Sequence, residues 1–206
     1  MFSPSREYAA ELIDEAAERR MKVSPDGFDE VSWRAHSFGV ARLAEKIAAR
    51  TSFMDPYRAY VSGLLHDIGK RWNEYGENTF HPLSGYHYMS AFGFKEVART
   101  CLTHSFLVRG SRKNLMPNPD NLVAEAARLV RPLRYDDYDR LIQLCDWLND
   151  CGTDCTIEFR ARSLIRRYSE LPERRTMVLA DAAQKLKARF DRVCGGDIYE
   201  ICAVTA

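Results

Sequence analysis

The strongest constraint on the fold of this chain is the spacing of its apolar residues. Between residues 30 and 50, Trp33, Val40, Leu43 and Ile47 are separated by three, four or seven positions, so they share one face of a helix. A helix with one apolar face gains its stability by burying that face against other elements. The segment therefore predicts a helix that packs into a core.

The same spacing recurs along most of the chain. It predicts further helices over residues 6–20, 56–69, 81–93, 94–105, 122–131, 138–149, 156–168 and 173–193. The sequence shows no convincing strand alternation and no internal repeat. We therefore predict an all-α fold, a helical bundle in one domain over residues 1–206.

Composition limits the classes of function. The chain carries 30 basic and 29 acidic residues, and its net charge of +1 gives no general attraction to nucleic acids or membranes. No apolar run reaches the roughly 18 residues of a membrane helix, and the N-terminus lacks a secretory pattern. We expect a cytoplasmic protein that binds neither nucleic acid nor membranes. Its six cysteines are then expected to be thiols, with Cys151 and Cys155 in a loop rather than in a metal site.

One pair of adjacent residues carries most of the recognisable chemistry. His66 and Asp67 fall in the predicted last turn of the 56–69 helix, with Gly69 as its predicted stop and Lys70 next. Imidazole nitrogens and carboxylate oxygens are good ligands for first-row divalent metals. Two ligands do not make a site, so the pair becomes informative only if ligands on other helices converge on it.

Further candidate ligands lie on other predicted helices. His36 is on the apolar stripe of its helix, and Asp146 is embedded in the apolar run Leu-Cys-Asp-Trp-Leu. An ionised carboxylate in such surroundings costs on the order of several kcal/mol unless a cation faces it. A metal ion or an arginine of the C-terminal helices would serve. His81 and His104 complete a set of four imidazoles and two carboxylates on five helices.

The order of these residues, His36, then His66-Asp-Ile-Gly-Lys70, then Asp146, resembles the HD superfamily of metal-dependent phosphohydrolases. The resemblance covers roughly residues 32–149. It implies an HD-type domain with its core motifs in that range and with C-terminal helices over 156–203 packing on it.

Two more matches narrow the resemblance. The segments His81-Pro-Leu-Ser-Gly85 and Leu102-Thr-His104 are similar to dinuclear, HDIG-type members such as the bacterial diadenosine tetraphosphate hydrolases. More distant dinuclear relatives include a diiron oxygenase of phosphonates. The resemblance therefore implies two divalent ions, iron or manganese first, with nickel, zinc or magnesium also permitted by the ligand types.

The resemblance also implies a role for each candidate residue. One ion would be held by His36, His66, Asp67 and Asp146, and a second by His81 and His104, with Asp67 as the bridge. Lys70 would contact a phosphate oxygen as charge develops, although a lysine at a helix end is equally expected to be solvated. Helix geometry gives the prediction for His87, because a residue six positions after His81 lies well around the helix from it and is not expected to reach the same ion, so His87 is assigned to the pocket wall or the surface.

A long irregular segment follows His104. Residues 107–121 contain two prolines, a glycine and the cations Arg109, Arg112 and Lys113. Such a connection is long for a compact helical domain, so these three cations are candidates for binding substrate phosphates. A solvated charge cluster is the alternative.

The expected function is hydrolysis of a small phosphorylated substrate, a nucleotide first, by attack of a metal-bound hydroxide on phosphorus. Asp67 and Lys70 are the expected catalytic residues. Two alternatives stay open at this point: a diiron oxygenase acting on an organic or phosphonate substrate, and a nucleotide or phosphate sensor without catalysis. A homodimer is compatible with all of these functions.

Overall fold

The computed structural model describes residues 3–23, 29–71, 80–108, 120–168 and 172–204. Within these ranges the chain is built almost entirely from helices, which confirms the all-α fold class. The helices are α1 (Arg6–Val23), α2 (Glu30–Ala48), α3 (Pro56–Leu65), a 3-10 helix (Ile68–Arg71), α4 (His81–Ala91), α5 (Lys95–Thr103), α6 (Asp120–Val130), α7 (Asp137–Trp147), α8 (Ile157–Arg167), α9 (Glu173–Cys194) and α10 (Ile198–Cys202). None of these helices is both long and apolar enough to cross a membrane.

Several helices begin where a side chain caps the free backbone N–H groups of the first turn. The carboxylate of Asp29 accepts a hydrogen bond from the N–H of Ser32 at the start of α2. At the start of α7, Asp136 and Asp139 form a reciprocal capping box, in which each carboxylate accepts from the other residue's N–H. These caps fix the entry points of two helices that carry candidate ligands.

The predicted stripe of α2 is buried and joins two parts of the core. Val40, Leu43 and Ile47 pack in an apolar cluster with residues of α7, α9 and α10. Trp33 and Ala41 pack in a second cluster with residues of α1, α3 and α5. Because α2 contributes to both clusters, it sits at the centre of the fold and holds His36 there.

The structure corrects the predicted end of the third helix. α3 ends at Leu65, so His66 is its C-cap and Asp67 lies just beyond it, rather than both lying in the last turn. The chain then tightens, since the N–H of Lys70 donates to the carbonyl of Asp67 and opens a 3-10 helix. Gly69 lies within that 3-10 helix and is therefore not the helix stop.

The structure also contains elements that the sequence analysis missed. Asn149–Asp150 and Thr153–Asp154 form an antiparallel hairpin, β1 and β2, where the helix over 138–149 was predicted to end. Cys151 and Gly152 form its two-residue turn with φ angles of 53° and 93°. α10 was missed as well. All six cysteines lie in described ranges and are free thiols.

Candidate metal centre

Six candidate ligands come from five separate helical segments and meet at one place in the fold. They are His36 in α2, His66 and Asp67 after α3, His81 at the start of α4, His104 at the C-cap of α5 and Asp146 in α7. All are buried or nearly so, and each has a side-chain nitrogen or oxygen within 4 Å of another member. The structure therefore brings the whole predicted set together, and their role as ligands stays a prediction.

The carboxylate of Asp67 lies between two groups of imidazoles. Its Oδ1 is 3.3 Å from Nε2 of His81 and 3.4 Å from Nε2 of His104. Its Oδ2 is 3.6 Å from Nε2 of His66 and 4.0 Å from Nε2 of His36. Each oxygen atom therefore faces a different pair of histidines, which is the arrangement that a carboxylate bridging two ions requires.

The distances at the first pair suit one ion. Nε2 of His81 and Nε2 of His104 are 3.2 Å apart, so with Asp67 Oδ1 they form a triangle with sides of 3.2, 3.3 and 3.4 Å. Ligand atoms about 2.1 Å from a common ion are separated by roughly 3.0 Å in an octahedral shell and 3.4 Å in a tetrahedral one. The triangle falls within this range without movement of any side chain.

The second group contains Asp146. Its Oδ1 is 3.1 Å from Nε2 of His36 and 4.0 Å from Nε2 of His66. Asp67 Oδ2 lies 4.0 Å and 3.6 Å from the same two nitrogens, so these four separations all lie between the adjacent and opposite spacings of an octahedral shell, about 3.0 Å and 4.2 Å. In two overlapping sets of three residues, the potential ligand atoms all lie within 4.8 Å of one another. The sets are His36, His66 and Asp146, and His66, Asp67 and His104. His66 belongs to both and lies at the centre.

Three of the rings are oriented by hydrogen bonds at their outer nitrogen atoms. Nδ1 of His36 lies 3.0 Å from Oδ1 of Asn149, Nδ1 of His66 lies 2.7 Å from the carbonyl of Gly63, and Nδ1 of His104 lies 2.8 Å from the carbonyl of Cys101. Because a carbonyl oxygen only accepts, each Nδ1 carries the hydrogen and each Nε2 offers its lone pair to the centre. This is the usual support of metal-binding histidines.

Asn149, which the sequence analysis missed, is itself held in place. Its Oδ1 also accepts from the N–H of Gly152, and its Nδ2 donates to Asp154 at 2.7 Å. The hairpin thus sets which amide atom faces His36. Gly39 leaves the room for this amide, because a Cβ there would lie 2.8 Å from Cγ of Asn149.

A buried polar network braces α5 against α7. The guanidinium of Arg99 donates to both oxygens of Asp139, and Thr103 Oγ1 donates to Asp139 Oδ1 at 2.7 Å. Thr103 precedes His104, and Asp139 lies two turns before Asp146. The network therefore fixes the separation between the helices that supply these two candidate ligands.

Burial and charge set the ionisation of the centre. Complete burial lowers the pKa of His66 to about 3, so the ring is neutral at pH 7. Burial alone would raise the pKa of Asp67, but Lys70 and the surrounding imidazoles lower it well below its ordinary value. Asp146 behaves likewise, because its close contact with His36 and the charge of Arg160 outweigh burial and lower its pKa. Neutral imidazoles and ionised carboxylates are the forms that bind metals.

One atom has no partner in this arrangement. Nε2 of His66 is fully buried and makes no hydrogen bond with the described residues. A buried nitrogen lone pair without a partner costs on the order of 1–3 kcal/mol. A divalent cation would provide that partner, so the donor set and the orphaned nitrogen both fit a metal ion.

Other predicted site residues fall in different places. Nζ of Lys70 forms an ion pair with Asp67 Oδ2, so Lys70 belongs to the cluster. His87 is largely exposed, with Nε2 3.9 Å from Glu125 Oε1, and is not among the converging side chains. The segment with the three cations Arg109, Arg112 and Lys113 lies outside the described residues.

Two further polar residues near the centre escaped the sequence analysis. Ser105 Oγ lies 3.0 Å from Nε2 of His104 and 3.5 Å from Nε2 of His81, and only its position next to His104 signalled it. Nη2 of Arg160 lies 3.9 Å from Asp146 Oδ1. An arginine of the C-terminal helices therefore does lie near Asp146, as the alternative interpretation required. His36 is nevertheless the nearer partner of that carboxylate.

The comparison with protein families agrees with this geometry. The model of the HD domain matches residues 33–149, which is more than half of the chain. The chain belongs to the HD domain family. The matched HD domain includes all six converging side chains and ends before α8. Neither curated proteins nor solved structures gave a match to the chain.

The buried neutral His66 predicts acid sensitivity of the metal-free protein. Between pH 6.5, its ordinary pKa, and about 3, its pKa in the fold, the unfolded chain binds a proton that the folded chain does not. The contribution of His66 to the free energy of unfolding is therefore fully present above pH 6.5 and decreases at lower pH, by up to about 1.4 kcal/mol per pH unit. Denaturant unfolding of the metal-free protein at several pH values in this window gives the free energy of unfolding as a function of pH. This free energy should change less with pH in His66→Gln than in the wild type. His87→Gln should keep the wild-type slope, and equal slopes for the two variants would contradict the assignment.

Proposed function

We propose that the protein is a metal-dependent phosphohydrolase that acts on a nucleotide or another small phosphorylated metabolite. The observation that carries the proposal is the carboxylate of Asp67, whose two oxygens face two different pairs of imidazoles. The proposal includes two divalent ions, iron or manganese first. It also includes the finer resemblance to dinuclear HDIG-type members such as diadenosine tetraphosphate hydrolases.

The charges of the described groups favour an anionic substrate. Asp67 is paired with Lys70, and Asp146 lies beside Arg160, so the two carboxylates are already matched by two cations. Imidazoles bind metals in their neutral form. Any divalent ion therefore leaves an excess of positive charge at the centre, which a phosphate group of a substrate would balance.

Each residue then has a defined task. Bound ions would supply an activated water and positive charge opposite the attacked phosphorus. His36, His66 and His104 are held with Nε2 towards the centre by their Nδ1 hydrogen bonds. Lys70 is placed to donate to a phosphate oxygen as negative charge develops on it. Burial raises the pKa of the nearby thiol of Cys101, so this cysteine is not an activated nucleophile.

The test combines metal analysis with a substrate screen. Protein purified without chelators should contain close to two equivalents of divalent metal. It should release inorganic phosphate or a nucleotide from at least one member of a panel of nucleotides, dinucleoside polyphosphates and sugar phosphates, with manganese or iron added back. Removal of metal by chelation should abolish turnover, and its return should restore it.

Two histidine variants provide the matched controls. His81→Ala should lower the metal content by about one equivalent, because it breaks the triangle with His104 and Asp67. His87→Ala, in the same helix but largely exposed, should keep wild-type metal and activity. Turnover that requires dioxygen would replace the proposal by an oxygenase, and intact ligand after prolonged incubation with the metal-loaded protein would replace it by a sensor.

A further inference from the structure

We propose that Arg160 is a substrate-binding residue that contacts an anionic oxygen of the substrate at the edge of the metal centre. The proposal rests on the proposed function. Arg160 lies in α8, beyond the part of the chain matched by the HD domain model. It was one of many basic residues in the predicted helix over 156–168, and nothing in the sequence distinguished it.

Arg160 lies at a solvent-accessible edge of the cluster. The side chains of His66, Asp67 and His104 are at most 3% exposed, so they form the floor of the site. Asp146 is 21% exposed and Arg160 is 14% exposed. The guanidinium of Arg160 therefore lies at a part of the centre that solvent reaches, as do Lys70 and His81, which are 32% and 16% exposed.

The guanidinium of Arg160 is fixed but not neutralised. Its Nη1 donates to Asp150 Oδ1 in β1. The same carboxylate also accepts from Ser163 Oγ and from the guanidinium of Arg167, each at 2.5 Å. One carboxylate thus serves two arginines, which leaves an excess of one positive charge in this group.

That excess charge faces the centre. Nη2 of Arg160 is 3.9 Å from Asp146 Oδ1, close enough for attraction but beyond hydrogen-bond distance. If Asp146 binds a divalent ion, its negative charge is shared between that ion and Arg160. The guanidinium then lies close to a divalent positive charge. Such an arrangement is repulsive unless an anion lies between the two cations. A phosphate oxygen would satisfy both.

The chemistry of arginine suits this task. Its planar guanidinium presents paired N–H groups that match two phosphate oxygens. Because Asp150 already fixes one side of the guanidinium, little conformational freedom is lost when an anion binds. Lys70 beside Asp67 and Arg160 beside Asp146 then supply one organic cation for each carboxylate of the centre.

The test measures binding of inorganic phosphate to the metal-loaded protein by calorimetry, together with metal content and thermal unfolding. Arg160→Gln should keep the wild-type metal content and should bind phosphate about tenfold to hundredfold more weakly. Arg160→Lys should fall between this variant and the wild type. Arg166→Gln, an exposed arginine of the same helix, should bind phosphate like the wild type.

The possible outcomes distinguish the role of Arg160 from the proposed function. Wild-type phosphate affinity in Arg160→Gln would overturn the proposal and leave the phosphohydrolase function standing. A second outcome would also overturn it, namely that Arg160→Gln and Arg160→Lys both lose metal and thermal stability along with phosphate binding. Arg160 would then only connect α8 to β1. If the wild type binds phosphate in an Arg160-dependent way but hydrolyses no substrate, the inference stands and the proposed function fails.

Discussion

Replacement of Asp67 by alanine should remove most of the bound metal and abolish turnover. The reason is that Asp67 is the described carboxylate whose two oxygens face both groups of imidazoles, so its loss opens both sets of ligands together. Activity should fall by a factor on the order of 10³ or more. Metal content by elemental analysis and phosphate release from the best substrate give the two measurements.

The control for this variant is Asp14→Ala. Asp14 lies in α1, is half exposed and pairs with Arg34, so its removal changes the net charge equally without touching the centre. It should retain wild-type metal and activity. Metal retained at wild-type stoichiometry in Asp67→Ala would show that Asp67 is not a ligand, and the proposed centre would be wrong.

The helices were predictable because their signal is local. The stripe of Val40, Leu43 and Ile47 repeats within one segment, and an apolar face of this kind is buried wherever the helix packs. The end of α3 was predicted four residues too late, because Gly69 was interpreted as a helix stop. In the structure that glycine serves a tertiary contact instead, which the spacing of apolar residues does not report.

The convergence of the candidate ligands depended on resemblance rather than on spacing. His36 and Asp146 are separated by more than a hundred residues, and only the packing of α2 against α7 brings Nε2 and Oδ1 to 3.1 Å. No local pattern encodes such a contact. A buried carboxylate in an apolar helix did indicate that Asp146 needed a positive partner, and this was the strongest signal available from the residues themselves.

The supporting residues could not be found from the sequence for the same reason. Asn149 acts through a hairpin of two residues per strand, which is too short to show alternation. Arg160 is one cation among many in the C-terminal helices, and its place beside Asp146 is set by how α8 packs behind that hairpin. Both roles exist only once the chain is folded.

Replacement of Gly69 by alanine should damage both stability and the His81 side of the centre. A Cβ at this position would overlap the carbonyl oxygen of His81 and lie 2.7 Å from the backbone nitrogen of Gly85. Both neighbours are backbone atoms of α4, so no change of rotamer relieves the clash. The start of α4 must move by on the order of 1 Å, which suffices to disturb a catalytic arrangement. We expect a loss of about 2–3 kcal/mol in the free energy of unfolding.

The effect on metal separates this variant from simple destabilisation. Because His81 is the first residue of α4, its Nε2 should move away from Asp67 Oδ1 and from Nε2 of His104. The bound metal should then fall by about one equivalent. The ion held by His36, His66 and Asp146 should stay bound. Gly196→Ala is the matched control, since a Cβ there meets only Ile201 at an ordinary 3.6 Å. Denaturant unfolding and elemental analysis of both variants measure the two effects. Wild-type metal content in a destabilised Gly69→Ala protein would separate His81 from the centre, and the close approach of Gly69 to α4 would then be a packing contact alone.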